Sequence, residues 1–387
     1  MFYEFLSPTD IELVVGDENF QLNQIGNHIQ YYNGEEVDLQ SFHLAIIGVP
    51  DGRGSAENEG CSGAPNEVRK QLLKLFIPSK NQFKAIDLGN IISGETIRDT
   101  YFALASVVLK CVTNKVVPII LGGSHDLTFG QYMGYQDLQG MINVVNVDGK
   151  LDMGATPDTP LQANSFLMHL LMHQPNFLFN YSHLGHQSYM NDPNAVDTLE
   201  SLGFDCYRLG LMQSDMEIAE PIVRDADMIS VDLSCVRMSD GPAHAQASPH
   251  GFYGEELCQI TRYAGMSDRV SSIGFYEMNP HYDINQQSAQ LYAHAIWYFM
   301  EGYYCRKNDV PAQNSNYSHY AVNIHDVDYE IVFWRSNLTG RWWMELPFSN
   351  EKFSREQHLV PCSYNDYQLA CNDELPDKFM KYYTKML

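Results

Sequence analysis

The sequence predicts an α/β protein with three layers, in which helices cover both faces of a mostly parallel β-sheet. Between His43 and Gly302, short runs of β-branched and apolar residues alternate with longer amphipathic stretches, as in repeated βαβ units. Several of these runs show no alternation with polar residues, which is typical of strands buried on both faces. The chain has 387 residues, 44% of them hydrophobic, enough for one large core.

The predicted elements follow one another in a regular order. Residues 1–42 are acidic and polar, and we expect an irregular leader on the domain surface. The main domain is predicted to cover residues 43–302. Its elements, in chain order, are a strand at Leu44–Val49, helices at Asn66–Phe76 and Ile97–Lys115, strands at Val116–Leu121 and Val144–Val147, a helix at Ser165–Met172, a strand at Phe177–Tyr181, a helix at Asp192–Leu202, strands at Cys206–Leu209 and Asp227–Val231, a helix at Tyr253–Tyr263, a strand at Val270–Tyr276 and a helix at Ser288–Met300.

Residues 303–387 are predicted to form an extension packed on the main domain. A polar linker, Arg306–Ser318, leads into apolar runs at Tyr329–Trp334 and Gly340–Met344, and turn residues between the two runs favour a β-hairpin. An amphipathic helix is expected over Pro376–Leu387. We expect three tryptophans of this region to pack on the main domain rather than to form a ligand cage: Trp334, Trp342 and Trp343.

The composition excludes several classes of function. The formal net charge of −24 argues against a nucleic-acid or anionic-membrane partner, because such partners need a basic surface. No run of 18 apolar residues and no basic, apolar leader is present, so we expect a cytoplasmic protein. The eight cysteines form no CxxC pair, and only Cys235, close to Asp232, is a candidate reactive thiol. We also expect a homo-oligomer.

Acidic and histidine side chains follow three of the predicted strands. His125 comes after Val116–Leu121, Asp148 and Asp152 come after Val144–Val147, and Asp232 comes after the strand that begins at Asp227. Open α/β sheets bind ligands at the carboxyl ends of their strands. One imidazole and three carboxylates are suited to a divalent ion such as Mn²⁺. The sequence therefore predicts a metal site at this edge of the sheet.

These residues carry a family resemblance. The segments Gly122–His125, Asp148–Asp152 and Ser230–Ser234 resemble the metal-binding motifs of the ureohydrolases, a family that includes arginase, agmatinase and formimidoylglutamase. Two further blocks resemble the family's first strand with its glycine loop and its Glu-x-Asn-Pro segment: Ile46–Pro50 followed by Gly60–Pro65 and Arg69, and Glu277–Pro280 with Asp283. The order and spacing of five blocks make the resemblance specific. It implies an arginase-like fold and metal-dependent hydrolysis of a C–N bond in a small cationic or formimino substrate.

The resemblance also implies which metal ligands are present. Ureohydrolases hold two metal ions, and the set for the first is complete here as His125, Asp148, Asp152 and Asp232. The set for the second is broken, because Lys150 replaces a histidine and Ser234 replaces an aspartate. A charged lysine cannot bind a metal, although its charge can replace one. Two interpretations stay open: a site for one divalent metal ion, or a metal-free ion cluster in which Lys150 bridges the three aspartates.

Other polar residues are assigned to the same pocket. The resemblance implies catalytic roles for Asp148, Lys150 and Glu277, with Glu277 gripping the planar substrate group. Four further residues are expected to line the substrate pocket: Asn164, Ser165, Ser234 and His244. Less central candidates are His250 as a lining residue, Asp126 as a helix N-cap, and His169 with His173 as a second metal site.

Three classes of function remain after the sequence analysis. The first is a hydrolase, and formimidoylglutamase is the preferred member of the family because Lys150 would repel a cationic guanidinium such as that of arginine. The second is a non-catalytic descendant that binds a small ligand or a protein. The third is a structural or regulatory subunit that depends on the extension.

Overall fold

The computed structural model describes residues 2–16, 19–80, 82–138, 140–154, 159–311, 316–324, 329–347 and 359–386. A ten-stranded sheet forms the centre of the described chain. Its strands are β1 (Leu6–Ser7), β2 (Gln30–Tyr31), β3 (Leu44–Gly48), β4 (Ala85–Ile91), β5 (Val117–Leu121), β6 (Ile142–Val147), β7 (Leu178–His186), β8 (Asp205–Arg208), β9 (Met228–Asp232) and β10 (Ser272–Tyr276). The order β1-β4-β3-β5-β10-β9-β6-β7-β8 is parallel throughout except where β1 meets β4. The predicted mostly parallel sheet is confirmed.

Helices cover both faces of this sheet. They are α1 (Ile11–Val15), α2 (Ala64–Leu72), α3 (Ile97–Thr113), α4 (Leu127–Met133), α5 (Phe166–Met172), α6 (Pro193–Ser201), α7 (Leu209–Ser214), α8 (Ala219–Arg224), α9 (Gly254–Met266) and α10 (Gln287–Tyr304). Apolar residues of α2, α8, α9 and α10 share one core with Leu44 and Ile46, while those of α3 to α6 share a second core with Ala45 and Ile47. Successive residues of β3 thus enter opposite cores, as the strand pleat requires. The three-layer prediction is confirmed.

The leader is less irregular than predicted. Leu6 and Ser7 pair with Ile91 and Asn90, and Gln30 and Tyr31 pair with Ile86 and Asp87, so β1 and β2 lie end to end along the outer edge of β4. An uncovered strand edge exposes unpaired backbone groups. The polar leader covers that edge. Only four of its residues pair with β4, and such short strands give no recognisable alternation of apolar and polar side chains.

The extension contains more strands than the predicted hairpin. Its elements are β11 (Tyr317–Ile324), β12 (Tyr329–Ser336), β13 (Trp342–Glu345), β14 (Leu359–Cys362), α11 (Tyr364–Cys371) and α12 (Asp377–Met386). The predicted hairpin of β12 with β13 is confirmed, but β11 and β14 extend it to a four-stranded antiparallel sheet. Ile331, Phe333, Met344 and Phe379 belong to a separate core of this unit.

The tryptophans of the extension divide between two roles. Trp343 lies under the guanidinium of Arg224, 4.4 Å from the ring centre, and Arg224 also donates to the carbonyl oxygens of Trp342 and Cys362 at 3.0 and 3.4 Å. Because Arg224 belongs to α8, these contacts join the extension to the main domain. The rings of Trp342 and Trp334 instead pack within the extension, on Tyr367 and His319 respectively. The expected packing on the main domain therefore applies to Trp343 alone.

The last helix, α12, contacts the main domain at β7 and β8. Lys381 forms an ion pair with Asp205, and Lys385 donates to the side chain of Asn180. The hydroxyl of Tyr382 accepts from Asn180 at 3.2 Å. Burial lowers the pKa of Lys385 to about 8. No helix in the described ranges is both long and apolar enough to cross a membrane.

Candidate metal centre

Four neighbouring strands, β5, β10, β9 and β6, end at one site. His125 follows β5, Glu277 follows β10, Asp232 ends β9, and Asp148 and Asp152 follow β6. Parallel strands present their carboxyl ends at the same edge of the sheet, which brings these side chains together. The predicted residues therefore meet, although 107 positions separate His125 from Asp232 in the sequence.

His125 lies among three carboxylates. Its Nδ1 atom is 3.0 Å from Asp232 Oδ2, 3.2 Å from Asp152 Oδ2 and 3.5 Å from Asp148 Oδ2. One ligand atom from each of the four residues lies within 4.8 Å of all the others. No other such group of histidine, cysteine or acidic side chains is found among the described residues. This spacing allows all four atoms to approach one ion.

The surrounding chain fixes the ring of His125. The Nε2 atom is 3.2 Å from Asn146 Oδ1 and 3.0 Å from Ser230 Oγ. Asn146 and Ser230 pair with each other on β6 and β9, so two strands hold the ring from one side. Glycine is required at position 123, because a Cβ there would overlap the carbonyl oxygen of Asp51. The ring consequently directs Nδ1 at the carboxylates.

Burial and the shared charges shift the pKa values of the cluster. Burial lowers the pKa of His125, but hydrogen bonds to Asp152 and Asp232 and the charges of Asp232 and Asp148 outweigh it and hold the pKa well above its usual value. Burial and the charges of Asp232 and Asp152 raise the pKa of Asp148 well above its usual value. Burial also acts on Asp232, but the hydrogen bond and charge of His125 lower its pKa to about 2. The cluster therefore carries excess negative charge that favours a bound cation.

Asp148 shows how a metal ion fits this cluster. Its Oδ1 atom accepts hydrogen bonds from Lys150 N and Ser234 Oγ, both at 3.0 Å. Its Oδ2 atom is buried and has no hydrogen-bond partner, although it faces His125. A buried carboxylate oxygen without a donor is costly unless a cation binds it. Carboxylate and imidazole ligands suit Mn²⁺, so the residues of the cluster fit one divalent ion.

Lys150 is not part of the ion cluster. Its Nζ atom donates to Gln246 Oε1, and within the described ranges it has no carboxylate oxygen within 4.0 Å. The interpretation in which Lys150 bridges the three aspartates is therefore wrong, and His125 holds that central position. The backbone N–H of Lys150, and not its ammonium group, binds Asp148, while the side chain extends along the cavity wall to Gln246.

A cavity of about 430 Å³ opens beside the cluster. Six residues predicted for the substrate pocket or for catalysis lie in its wall: Asp148, Lys150, Asn164, Ser234, His244 and Glu277. Ser165 is not in the wall, because its hydroxyl donates to Pro160 O at 2.6 Å inside the fold. His250 is also outside and contacts Tyr189. Gln162, Gln246 and Glu57 line the cavity and were not predicted.

Glu277 is held firmly in the cavity wall. His125 N donates to one carboxylate oxygen at 2.8 Å, while Ser55 Oγ and Asn58 Nδ2 donate to the other at 3.0 and 2.7 Å. Burial, and then the charge of Asp232, raise the pKa of Glu277 to about 8. Its backbone has a φ of 64°, in the left-handed region that non-glycine residues rarely adopt. Such strain persists only where the surroundings enforce it.

The sequence did not indicate the donors to Glu277. Ser55 and Asn58 lie after β3, between the two segments Ile46–Pro50 and Gly60–Pro65 that carry the resemblance, so the resemblance assigned them no role. Asn146 was an available signal, since a polar residue inside an otherwise apolar strand needs a polar partner. Its partner is the imidazole of His125.

Three of the less central expectations are wrong. Asp126 occupies the N-cap position of α4, but its side chain makes no capping hydrogen bond and accepts from the hydroxyl of Tyr101 instead. His169 and His173 form no metal pair, because His169 contacts Thr159 O while His173 packs among aromatic rings. Cys235 is buried, and burial raises the pKa of its thiol well above the usual value, which makes it unreactive.

Comparison with known proteins agrees with this architecture. The arginase family profile matches residues 42–301. A formimidoylglutamase of Photorhabdus laumondii is 24% identical over 310 residues, covering 76% of this chain and 95% of that protein. A formimidoylglutamase of Staphylococcus aureus is 25% identical over 272 residues, covering 67% of this chain and 86% of that protein.

Solved structures extend the comparison to the fold. A formimidoylglutamase of Bacillus subtilis matches with a TM-score of 0.66 and 20% identity, covering 75% of this chain and 96% of that one. A structure of Trypanosoma cruzi formiminoglutamase with Mn²⁺ matches with a TM-score of 0.65 and 18% identity, covering 70% and 97%. At these identities the structural likeness concerns the fold alone.

Proposed function

The chain belongs to the arginase family, and we propose that it is a formimidoylglutamase-like hydrolase that uses one Mn²⁺ ion. The ion would be held by His125, Asp148, Asp152 and Asp232. The observation that carries the proposal is the buried, partnerless Oδ2 of Asp148, which faces His125 Nδ1 beside two further carboxylates. The formimidoylglutamases similar to this chain support the choice of substrate.

The opposite side of Asp148 supports a single ion. Its Oδ1 atom already accepts from Ser234 Oγ and Lys150 N, so the side on which the resemblance implies a second ion is filled by protein donors. Lys150 has no lone pair while it is charged. Neither side chain that replaces a family ligand can therefore complete a second site.

The proposed reaction is hydrolysis of a formimino group. Water adds to the amidine carbon, the bond from that carbon to the substrate amine breaks, and the amine leaves with a proton, giving formamide. A bound dication lowers the pKa of a nearby water molecule and polarises the substrate. The protein supplies orientation, since Glu277 faces the cavity and its Oε1 atom, which accepts one hydrogen bond from His125 N, can accept a further one from an N–H of the planar amidine.

His244 is placed to hydrogen-bond the substrate nitrogen that becomes the leaving amine, while the proton that this nitrogen gains comes from the added water. Its Nδ1 accepts from Gln246 N at 2.9 Å, so the ring proton is on Nε2, which lies 3.7 Å from Glu277 Oε2. Burial lowers the pKa of His244, which keeps the ring neutral near pH 7. A neutral N–H directed into the cavity can donate to the departing nitrogen without adding a charge that repels the amidine.

Metal counting and product analysis test the proposal together. Protein prepared with Mn²⁺ should contain close to one ion per chain by mass spectrometry, and it should release formamide and glutamate from N-formimidoyl-L-glutamate, followed by NMR. Asp152→Asn should lose both the ion and the turnover, whereas Asp197→Asn, a matched change of an exposed acid on α6, should keep both.

Two outcomes would contradict the proposal. A ratio of Mn²⁺ to chain near two would mean that a second site is built from other residues. A ratio near zero would mean that the cluster binds no metal. Retention of one ion without release of formamide would favour the ligand-binding alternative from the sequence analysis.

A further inference from the structure

Lys150 is the single lysine or arginine among the described residues that line the cavity. Five acidic side chains share the same wall: Glu57, Asp148, Asp152, Asp232 and Glu277. Three of these would be neutralised in part by the ion of the proposed function, on which the present inference rests. Lys150 then provides the one fixed positive charge that a bound molecule can meet away from the metal.

The partner of Lys150 is neutral and exposed. Its ammonium group donates to Gln246 Oε1, and Gln246 is exposed at the cavity opening. An ammonium has three donors, and this amide takes one of them. A carboxylate accepts a charge-assisted hydrogen bond that is roughly twice as strong as one to a neutral acceptor. A ligand carboxylate can therefore displace Gln246 from Lys150.

Glu57 is the one charge that opposes this interaction at the opening. It is joined to Lys150 only through Gln246, whose Nε2 donates to the Glu57 carboxylate. No ion pair within 4.0 Å links Glu57 to Lys150 in the described chain. The lysine charge is thus not cancelled by a direct contact, and Gln246 can keep its hydrogen bond to Glu57 when a ligand takes its place at Lys150.

We propose that Lys150 is a specificity-determining residue that binds a carboxylate of the substrate, with Gln246 as the acceptor that leaves. The preferred ligands then carry a planar cationic or formimino head toward Glu277 and the metal, and an acid at the other end. Amidines that end in an amine are rejected, because a second positive charge would meet Lys150.

Calorimetric binding to the Mn²⁺-loaded full chain tests this with two matched probes. The molecules 4-guanidinobutyrate and agmatine share a guanidino head and a four-carbon chain but end in a carboxylate and an amine respectively. The wild-type protein should bind 4-guanidinobutyrate at least about tenfold more tightly, the effect of one hydrogen bond between charged groups. Lys150→Met should remove this preference, whereas Lys150→Arg should keep most of it.

The controls separate this inference from the proposed function. Lys110→Met, a change of an exposed lysine on α3, should leave the preference unchanged. Circular dichroism and Mn²⁺ content establish that Lys150→Met is folded and contains its metal ion. Lys150→Gln, a second variant without the charge, is measured in the same way. An unchanged preference in both variants, or no binding of either probe at millimolar concentration, would overturn the inference even if formamide is released. A preference that depends on Lys150 without any turnover would sustain it and reject the hydrolase.

Discussion

Two buried charge clusters in this protein differ in how completely their atoms are paired. In the first, the side chains of Arg69 and Asp87 are both fully buried. The Arg69 guanidinium donates to both Asp87 oxygens at 2.8 and 3.1 Å. It also donates to Gly89 O at 2.7 Å and to Asn90 Oδ1 at 2.6 Å. In the second, one imidazole, that of His125, faces three carboxylates, and Asp148 Oδ2 has no donor.

The difference separates a cluster that is complete without a ligand from one that the proposed ion would complete. A charge-balanced pair with all its donors satisfied needs nothing further, and its loss would leave a buried charge alone. An unbalanced set with an open oxygen at the strand ends is more stable with a cation than without one. The first cluster ties α2 to β4, whereas the second lies beside the cavity.

The largest expected effect comes from breaking the balanced pair. Arg69→Met should lower the free energy of unfolding by about 3–5 kcal/mol, because Asp87 stays buried without its partner. In metal-free protein, Asp148→Asn should instead raise it by about 1–2 kcal/mol, since the amide replaces a carboxyl whose ionisation is opposed by burial and by the neighbouring aspartates. Urea unfolding in the presence of EDTA measures both. A loss of stability in Asp148→Asn similar to that in Arg69→Met would end the distinction.

The next effect concerns the metal. Saturating Mn²⁺ at about 100 times its dissociation constant should raise the free energy of unfolding of the wild-type protein by about 2.7 kcal/mol. The gain should disappear in Asp148→Asn and persist in Asp197→Asn. Thermal unfolding with Mn²⁺ and after chelation checks this. Equal stabilisation of Asp148→Asn would place the ion elsewhere.

Restoring the missing ligands should make the unbalanced cluster hold two ions. The double variant Lys150→His with Ser234→Asp replaces an ammonium and a hydroxyl by ligands at strand ends that the fold already presents. We expect a second, weaker Mn²⁺ ion that adds about 1–2 kcal/mol of stabilisation in excess metal. Calorimetric stoichiometry measures it, with each single variant as a control. A ratio that stays at one would reject the correspondence with the family's second site.

The smallest effect tests a half-buried charge, Lys385, which has the neutral side chain of Asn180 as its hydrogen-bond acceptor. Burial lowers its pKa to about 8 in the folded state. The unfolded state, with a pKa near 10.4, then binds more protons at intermediate pH, so stability should rise as the pH increases from about 8 to 10. Lys385→Met should be about 1 kcal/mol more stable than wild type at pH 7, and the difference should vanish at pH 10. A constant difference in urea unfolding at both pH values would contradict the assignment.

The sequence predicted the elements best where strands are buried on both faces of the sheet. The strands that end at Leu121, Val147 and Asp232 were found to within a few residues because each is an unbroken buried run. β7 was predicted too short, as Phe177–Tyr181, because polar residues follow. His183 is buried there and its Nε2 contacts Asp148 O at 2.8 Å, so a partner distant in sequence makes the polar residue acceptable.

The identities of the candidate metal ligands could be predicted from the sequence, but the contacts of the surrounding side chains could not. The resemblance identified the acids and His125, but the direction of the Lys150 side chain depends on Gln246, which is 96 positions away. The donors to Glu277 come from a loop more than 200 positions away. Side-chain partners across such separations are set by the packed fold and leave no local pattern.

The first strand and the last helix of the described chain lie at opposite edges of the large sheet. β1 pairs with β4 at one edge, while α12 contacts β7 and β8 at the other. At about 4.8 Å between neighbouring strands, the eight steps from β1 to β8 separate them by roughly 40 Å. A circular permutant that joins the two ends would therefore need a connecting peptide of at least about 12 extended residues. Dyes attached near Ser7 and Lys385 would report the separation directly by energy transfer.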